Sequence, residues 1–438
     1  MLETPPLPLW ERLRSHLETP LYYNAYYLIG TSLVRSLSGL PFWMLAAHLY
    51  TPHDVGVASA LISAVTLSAT VSSLGLDVAL VRFLPTAEHD SNDLVNSSLS
   101  LVTLCSVLAA AAFALSLPVW SSSLAVVQRQ PHFLLSFLLF TSVATLSILT
   151  DQVFVAHRAA RFTFYKNAIS GILKIPLPLL LVGLSGALAL FLSVWTPVLL
   201  ALAVSLLWFL PRIQPGYLPR PGLRKDLLRR LIRYALSNHV ANLLGALPAS
   251  LFPLMVVGVL GTETNAYFFA AWTLAQPLFM VSLAASFSLF AEGSQRTPPL
   301  AKLAASALRM SLLILVLSTT VVFLLGDRLL LVFGEPYSQH ATTLLRLLSL
   351  AAFPVAVKLL GFAIYRVRRQ LSRIVALSAL DSFLSVTLVY ALMRSAALDG
   401  AGLGLLLSQV VVAAVMLCMG RRLGGETGEG VSRTWDDT

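Results

Sequence analysis

Apolar runs long enough to cross a membrane as helices fill most of the chain, separated by short polar or proline-containing breaks. A helix needs roughly 20 predominantly apolar residues to span the hydrocarbon core of a bilayer. We therefore predict an all-α, polytopic membrane protein with about 12 transmembrane helices, six on either side of a basic linker. The spans are expected near residues 24–50, 54–84, 94–119, 131–157, 162–183 and 186–210, and then near 233–260, 264–291, 300–325, 341–365, 371–393 and 400–420.

The two sets of six spans resemble each other at a shift of about 211 residues. The stretch PFWMLAAHLYTPHD (41–54) falls against FPLMVVGVLGTETN (252–265), and RFTFYKN (161–167) opens span five as RQLSRIVA (369–376) opens span eleven. Six spans separate equivalent positions, so the two halves have the same topology. We predict two six-helix bundles related by a pseudo-two-fold axis along the membrane normal, enclosing the cleft that alternating access requires.

Composition agrees with this pattern, because 57% of the residues are hydrophobic, 11% are charged and the mean hydropathy is +0.80. Soluble domains carry about a quarter charged residues, so the chain is predicted to be an integral membrane protein. The expected organisation is an interfacial N-terminal segment at 1–23, a first six-helix bundle at 24–210, a cytoplasmic linker at 211–232, a second bundle at 233–420 and a polar tail at 421–438.

The basic residues predict the orientation of the spans. Of the 30 Lys and Arg residues, 22 fall in segments on the side of the N-terminus, including Arg158, Arg161 and Lys166, and four fall in the opposite loops. The positive-inside rule then places both termini in the cytoplasm. The net charge of +10 is thus mainly a topology signal rather than a sign of nucleic-acid binding. All outer loops are short, which argues against an extracellular catalytic domain.

Seven charged residues lie inside the predicted spans, where a charge costs a few kcal/mol and by default marks a cavity or pathway. The four basic ones are Arg35, Lys174, Lys358 and Arg309, and the three acids are Asp77, Asp151 and Asp381. We predict a net-positive, water-filled cavity in which the basic residues bind an anionic group. The alternatives are ion pairs that hold helices together, as for Asp77, or side chains that snorkel to the membrane surface. Asp151 and Asp381 are candidates to bind a coupling proton or sodium ion.

Three prolines lie inside the predicted spans that lead the two halves. Pro41, Pro248 and Pro253 interrupt the leading span of each half and are candidate hinges, with a static kink as the alternative. We find no phosphate-binding loop for ATP and no metal-ligand spacing among the histidines or the two cysteines, so no catalytic site, metal or cofactor beyond a coupling ion is expected.

Several stretches together carry a resemblance to a known family: LYTPHDVGVASA (49–60), GLDVALVRFLP (75–85), HRAARFTFYKNAISGILKIPLPLLLVG (157–183), VFGEPYSQHATTLLRLLSLAAFP (332–354) and YRVRRQ (365–370). In pattern and spacing the chain resembles the oligosaccharide flippases, or polysaccharide biosynthesis proteins, of the multidrug/oligosaccharidyl-lipid/polysaccharide exporter superfamily. The resemblance implies twelve helices in two V-shaped bundles in a bacterial plasma membrane.

The same resemblance implies a function. A lipid-linked (polyprenyl-diphosphate) oligosaccharide would move from the inner to the outer leaflet, with membrane lipid around it and a polysaccharide polymerase or glycosyltransferases as partners. A cationic cavity would hold the diphosphate, and Arg35, Lys174 and Lys358 match that role by position and chemistry. Two alternatives stay open: a multidrug or cation antiporter of the same fold, which needs buried acids, and a membrane-embedded glycan enzyme, which the short outer loops disfavour.

Overall fold

A computed structural model describes residues 20–87, 90–121, 123–184, 186–293 and 299–426. Most of the predicted interfacial segment and of the polar tail lies outside these residues. The described chain contains helices and no strand. The helices are α1 Pro20–Leu49, α2 Pro52–Ser72, α3 Leu76–Phe83, α4 Ser91–Trp120, α5 Val126–Arg129, α6 Pro131–Ala156, α7 Ala160–Lys174, α8 Leu177–Leu180, α9 Gly186–Val204, α10 Leu210–Ile213, α11 Lys225–Leu260, α12 Thr262–Gly293, α13 Leu300–Leu331, α14 Glu335–Val367 and α15 Leu371–Glu426.

The helices confirm the predicted all-α membrane fold. Among the described residues, nine helical stretches are long and apolar enough to cross a membrane. The last of them, within α15, contains non-helical backbone at Ala396 and Ala397, so it is two helices joined by a kink. Helix α1, which contains Arg35, and the broken segment α7–α8 occupy the places of two further predicted spans. The helices are therefore consistent with twelve spans.

The chain divides into two compact units, residues 1–243 and 244–438. In unit 1, α6 packs against α2, α4 and α9, while α7 lies between α1 and α9. In unit 2, α14 packs against α12, α13 and α15. The first part of α11 belongs to unit 1, and the domain boundaries expected from the sequence stay a prediction.

The predicted shift of 211 residues recurs in the backbone of the two units. Helix α6 ends at Ala156 and α14 ends at Val367, and each is followed by an arginine with positive φ, Arg158 at 55° and Arg369 at 56°. The next backbone N–H reaches back five residues in both turns, from Ala159 to the carbonyl oxygen of Phe154 at 2.8 Å and from Gln370 to that of Tyr365 at 2.9 Å. Both helices thus end in the same left-handed C-terminal cap.

Local chemistry explains how several helices begin and meet. The side chain of Asn24 accepts a hydrogen bond of 2.9 Å from the backbone N–H of Ala160, so α1 satisfies a free donor at the start of α7.

Gly75 has φ of +73°, and a Cβ there would collide with the carbonyl oxygen of Ala235, so glycine permits close packing of the turn before α3 on α11.

The predicted hinge prolines lie within helices. Pro41 lies inside α1, and Pro248 and Pro253 lie inside α11. Each removes a backbone donor from its helix, which weakens the helix locally without ending it. Their role as hinges stays a prediction.

The stretch that follows α10 is hydrogen-bonded along the first turns of α4. Asn96 donates to the carbonyl oxygen of Leu218 at 2.9 Å, and Ser97 Oγ accepts from the backbone N–H of Arg224 at 3.0 Å. The buried Gln214 contacts His157 at 3.2 Å, and burial lowers the pKa of that imidazole. This part of the linker is therefore fixed to unit 1.

Candidate functional site

A partly buried charged cluster joins α1, α6 and α7 in unit 1. Arg35 Nε donates to Asn167 Oδ1 at 2.8 Å, and its Nη2 lies 3.4 Å from Asp151 Oδ2. The other carboxylate oxygen of Asp151 lies 2.7 Å from Lys166 Nζ. Lys166 also donates to the carbonyl oxygen of Ser147 at 2.7 Å and to its hydroxyl at 2.9 Å. A single acid thus bridges two basic side chains from two different helices.

The spacing of residues on α7 places the cluster on one face. Three polar residues of α7 are spaced four apart, so their side chains lie one above another on the helix: Lys166, Ser170 and Lys174. Gly171 lets α1 come close, because a Cβ there would stand 2.9 Å from Ser38 Oγ. Arg35 stands one turn before Ser38 on α1, so the close contact brings its guanidinium to the α7 face.

A cavity of about 320 Å³ opens beside this cluster. Its polar lining includes Arg35, Lys166, Asn167 and Lys174, and its apolar lining includes Trp195. The Arg35 side chain is 61% exposed, whereas Lys166 is 2% exposed. Among the described residues, Lys174 makes no hydrogen bond or ion pair. Three basic side chains against one acid give the cavity a surplus of positive charge.

A second polar cluster lies in unit 2 and is closed. Lys358 Nζ lies 2.6 Å from Asp381 Oδ2 and 2.6 Å from Gln409 Oε1. Gln409 Nε2 donates to the other oxygen of Asp381 at 2.7 Å and to Ser385 Oγ at 3.1 Å. Lys358 is 9% exposed. One base, one acid and an amide that bonds to both leave no surplus charge.

The two clusters stand at equivalent places in their units. At the shift of 211 residues shared by the two helix caps, four positions of the unit 2 cluster match four residues that line the unit 1 cavity. The matches are Lys358 with Ser147, Asp381 with Ser170, Ser385 with Lys174, and Gln409 with Val198. The same frame therefore carries a charged cavity in one unit and a neutral cluster in the other.

The structure brings only some of the sequence-predicted site residues together. In unit 1, Arg35 pairs with Asp151 and lines the same cavity as Lys174, and in unit 2 Lys358 pairs with Asp381. Arg309 is exposed on α13 and, within the described part of the chain, donates only to the carbonyl oxygen of Ala305 at 3.3 Å, in its own helix. Whether any of these residues binds a substrate or a coupling ion stays a prediction.

Asp77 was expected to pair with a basic residue on another helix. Its Oδ1 is buried and makes no hydrogen bond among the described residues. The buried His239 on α11 is a basic residue close to Asp77.

Several members of the clusters were not predicted from the sequence, among them Lys166, Asn167 and Gln409. Lys166 was assigned to the cytoplasmic basic residues because it follows Arg158 and Arg161 closely, but it is buried in α7. Its spacing of four from Ser170 and eight from Lys174 is the signal that could have identified it. Gln409 and Asn167 carry no charge, so nothing in an apolar span distinguishes them from packing residues.

No protein-family model matches the chain, and no curated protein sequence matches it. Solved structures match over almost its full length. The lipid II flippase MurJ in an inward closed conformation has a TM-score of 0.75 at 12% identity, covering 91% of this chain and 87% of that chain. An inward-facing multidrug resistance MATE family transporter of the MOP superfamily has a TM-score of 0.69 at 14% identity, covering 91% of this chain and 96% of that chain.

An outward-facing MATE family transporter of the same superfamily also matches, with a TM-score of 0.62 at 12% identity over 94% of this chain and 97% of that chain. At these identities the likeness concerns the fold alone. The chain is thus a multi-pass membrane protein with the fold of MOP superfamily transporters and flippases.

Proposed function

We propose that this protein is a flippase that moves a polyprenyl-diphosphate-linked oligosaccharide across the plasma membrane by alternating access, for the biosynthesis of a cell-surface polysaccharide. The observation that carries the proposal is the cationic cavity of unit 1, in which Lys174 has no partner among the described residues. A polar cavity inside a membrane bundle marks a substrate or ion pathway by default. Its positive surplus favours an anionic cargo.

The lining supplies the chemistry that a diphosphate needs. Arg35 presents donors in a planar fork that suits phosphate oxygens, and Lys174 presents a compact ammonium. Because Asp151 engages only one Nη of Arg35, at 3.4 Å, the guanidinium keeps donors for a ligand. The cavity of about 320 Å³ is at the small end of the usual range of ligand pockets, so the sugars and the lipid chain would lie outside it.

A multidrug or cation antiporter is the second candidate, favoured by the fold shared with MATE transporters. Such a protein needs buried acids that are free to bind a cation. Asp151 lies 2.7 Å from Lys166 Nζ, and Asp381 lies 2.6 Å from Lys358 Nζ. Both carboxylates are therefore neutralised by lysine, and this pairing favours the flippase.

The test is translocation of a fluorescent polyprenyl-diphosphate oligosaccharide across proteoliposomes. We expect the double variant Arg35→Gln/Lys174→Gln to translocate at least about tenfold more slowly, because two charge-assisted contacts to phosphate are lost. Arg129→Gln is the matched control, since Arg129 is exposed in the same unit and does not line the cavity. Unchanged translocation by the double variant would contradict the proposed site.

A parallel experiment separates the two candidates. The wild-type protein is assayed for uptake of a cationic dye driven by a proton or sodium gradient. We expect no dye transport. Dye transport without any movement of the lipid-linked oligosaccharide would favour the antiporter.

The remaining parts of the proposal follow from the cargo and the basic residues. The protein would lie in a bacterial plasma membrane with both termini in the cytoplasm, where the cargo is assembled. A polymerase or glycosyltransferases acting on the same lipid carrier would be its partners.

A further inference from the structure

The ammonium of Lys166 is surrounded in the way that a small bound cation would be. Three oxygens hold it: a carboxylate oxygen of Asp151 at 2.7 Å, and the carbonyl and hydroxyl oxygens of Ser147 at 2.7 and 2.9 Å. The side chain is 2% exposed, so water contributes little to this shell. Carboxylate, carbonyl and hydroxyl oxygens are also the groups that bind hard metal cations in proteins.

A related arrangement occurs in unit 2, with two oxygens around the ammonium and with the lysine and the acid at other positions of the repeat. Lys358 Nζ is held by Asp381 Oδ2 and Gln409 Oε1, each at 2.6 Å. At the shift of 211 residues, Lys358 stands where Ser147 stands in unit 1, and Ser147 supplies two of the oxygens around the Lys166 ammonium. The ammonium group is thus common to both units, although α7 supplies it in one and α14 in the other.

We propose that each unit contains a site for a monovalent cation that a lysine ammonium of the protein occupies permanently. A tethered ammonium excludes a sodium ion in two ways, because it fills the space between the oxygens and cancels the charge of the carboxylate. Neither Asp151 nor Asp381 then serves as a sodium site in the wild-type protein. The inference concerns cation binding alone and holds for any cargo.

The experiment measures the melting midpoint of the purified protein in NaCl and in choline chloride of equal ionic strength. Wild-type protein is expected to melt at the same temperature in both salts. Lys166→Met should melt lower in choline, because Asp151 loses a partner, and sodium should raise its midpoint by roughly 2–4 °C at several times the dissociation constant. The double variant Lys166→Met/Asp151→Asn should lose this sodium response, which assigns the site.

Lys174→Met is the matched control, since it removes a lysine from the same cavity that no carboxylate oxygen holds among the described residues. It should show no sodium response. Two results would overturn the proposal: a sodium-dependent midpoint in the wild-type protein, or a folded Lys166→Met variant that melts identically in both salts. If Lys166→Met does not fold, Lys358→Met and Lys358→Met/Asp381→Asn carry the same comparison in unit 2. No substrate is used, so failure of the proposed cargo would not affect the result.

Discussion

The charged cluster of unit 1 lines a cavity, whereas the cluster of unit 2 is closed and forms a structural clamp. In unit 1, Arg35 and Lys174 face a cavity of about 320 Å³, and the one acid, Asp151, is shared between two bases. In unit 2, Lys358, Asp381 and Gln409 satisfy one another within hydrogen-bonding distance. The first arrangement leaves donors free for a ligand, and the second does not.

The difference arises from a few side chains on one shared helical frame. Where unit 2 has Asp381 and Gln409, unit 1 has Ser170 and Val198, which are too small or too apolar to neutralise a lysine. Both units therefore keep a buried lysine paired with an acid, but only unit 1 adds cationic groups without adding an acid. The two units can thus share the same helix packing while their buried side chains have different chemistry.

The largest expected effect comes from opening the unit 2 cluster. Lys358→Met and Asp381→Asn should each lower the free energy of unfolding by about 3–5 kcal/mol, because each leaves a buried polar or charged partner without its ion pair. The double variant should recover most of that loss. A double-mutant cycle on thermal or denaturant unfolding in a sodium-free buffer measures the coupling between the two side chains.

The exposed pair Arg224–Asp93, 2.9 Å apart with side chains 49% and 54% exposed, is the matched control. Its coupling should be much smaller than that of the buried pair, since solvent screens it. Additive losses at Lys358 and Asp381 would show that the unit 2 cluster is not a clamp.

A smaller effect is expected when unit 1 is made to resemble unit 2. Ser170→Asp places a carboxylate four residues before Lys174, the spacing of Asp381 and Ser385 in unit 2. The apparent affinity for the anionic cargo should fall about tenfold, which corresponds to about 1.4 kcal/mol. The measurement is the concentration dependence of translocation in proteoliposomes, with Ser170→Asn as the uncharged control. Equal effects of Asp and Asn would mean that shape rather than charge decides binding.

The smallest effect concerns the two equivalent helix caps. Arg158→Gly and Arg369→Gly should each raise the free energy of unfolding by about 0.5–1 kcal/mol, because glycine adopts positive φ without strain. Thermal unfolding of both variants tests whether the two turns respond alike. Arg366→Gly, inside the last turn of α14, serves as the control and should be destabilising by a similar amount. Opposite signs at Arg158 and Arg369 would contradict the equivalence of the caps.

The sequence by itself determined the membrane helices and the repeat. Apolar runs of span length have few other stable structures, because every backbone polar group must be bonded within the membrane. The shift of 211 residues was readable from the matching stretches at 41–54 and 252–265. The helix caps at Arg158 and Arg369 show the same shift in the backbone conformation. The kink at Ala396 and Ala397 was expected as a break between two spans.

Only the tertiary structure decided which charges meet. An intramembrane charge such as Arg35 stands out in sequence, but its partners Asp151 and Asn167 lie more than a hundred residues away and depend on how the helices rotate about their axes. Lys166 resembled an interfacial residue because a sequence does not fix the depth at which a helix begins. Gln409 and Asn167 became recognisable only as hydrogen-bond partners of charged side chains. Helix packing therefore decided that one set of charged residues lines a cavity and that the other forms a closed, neutral pair.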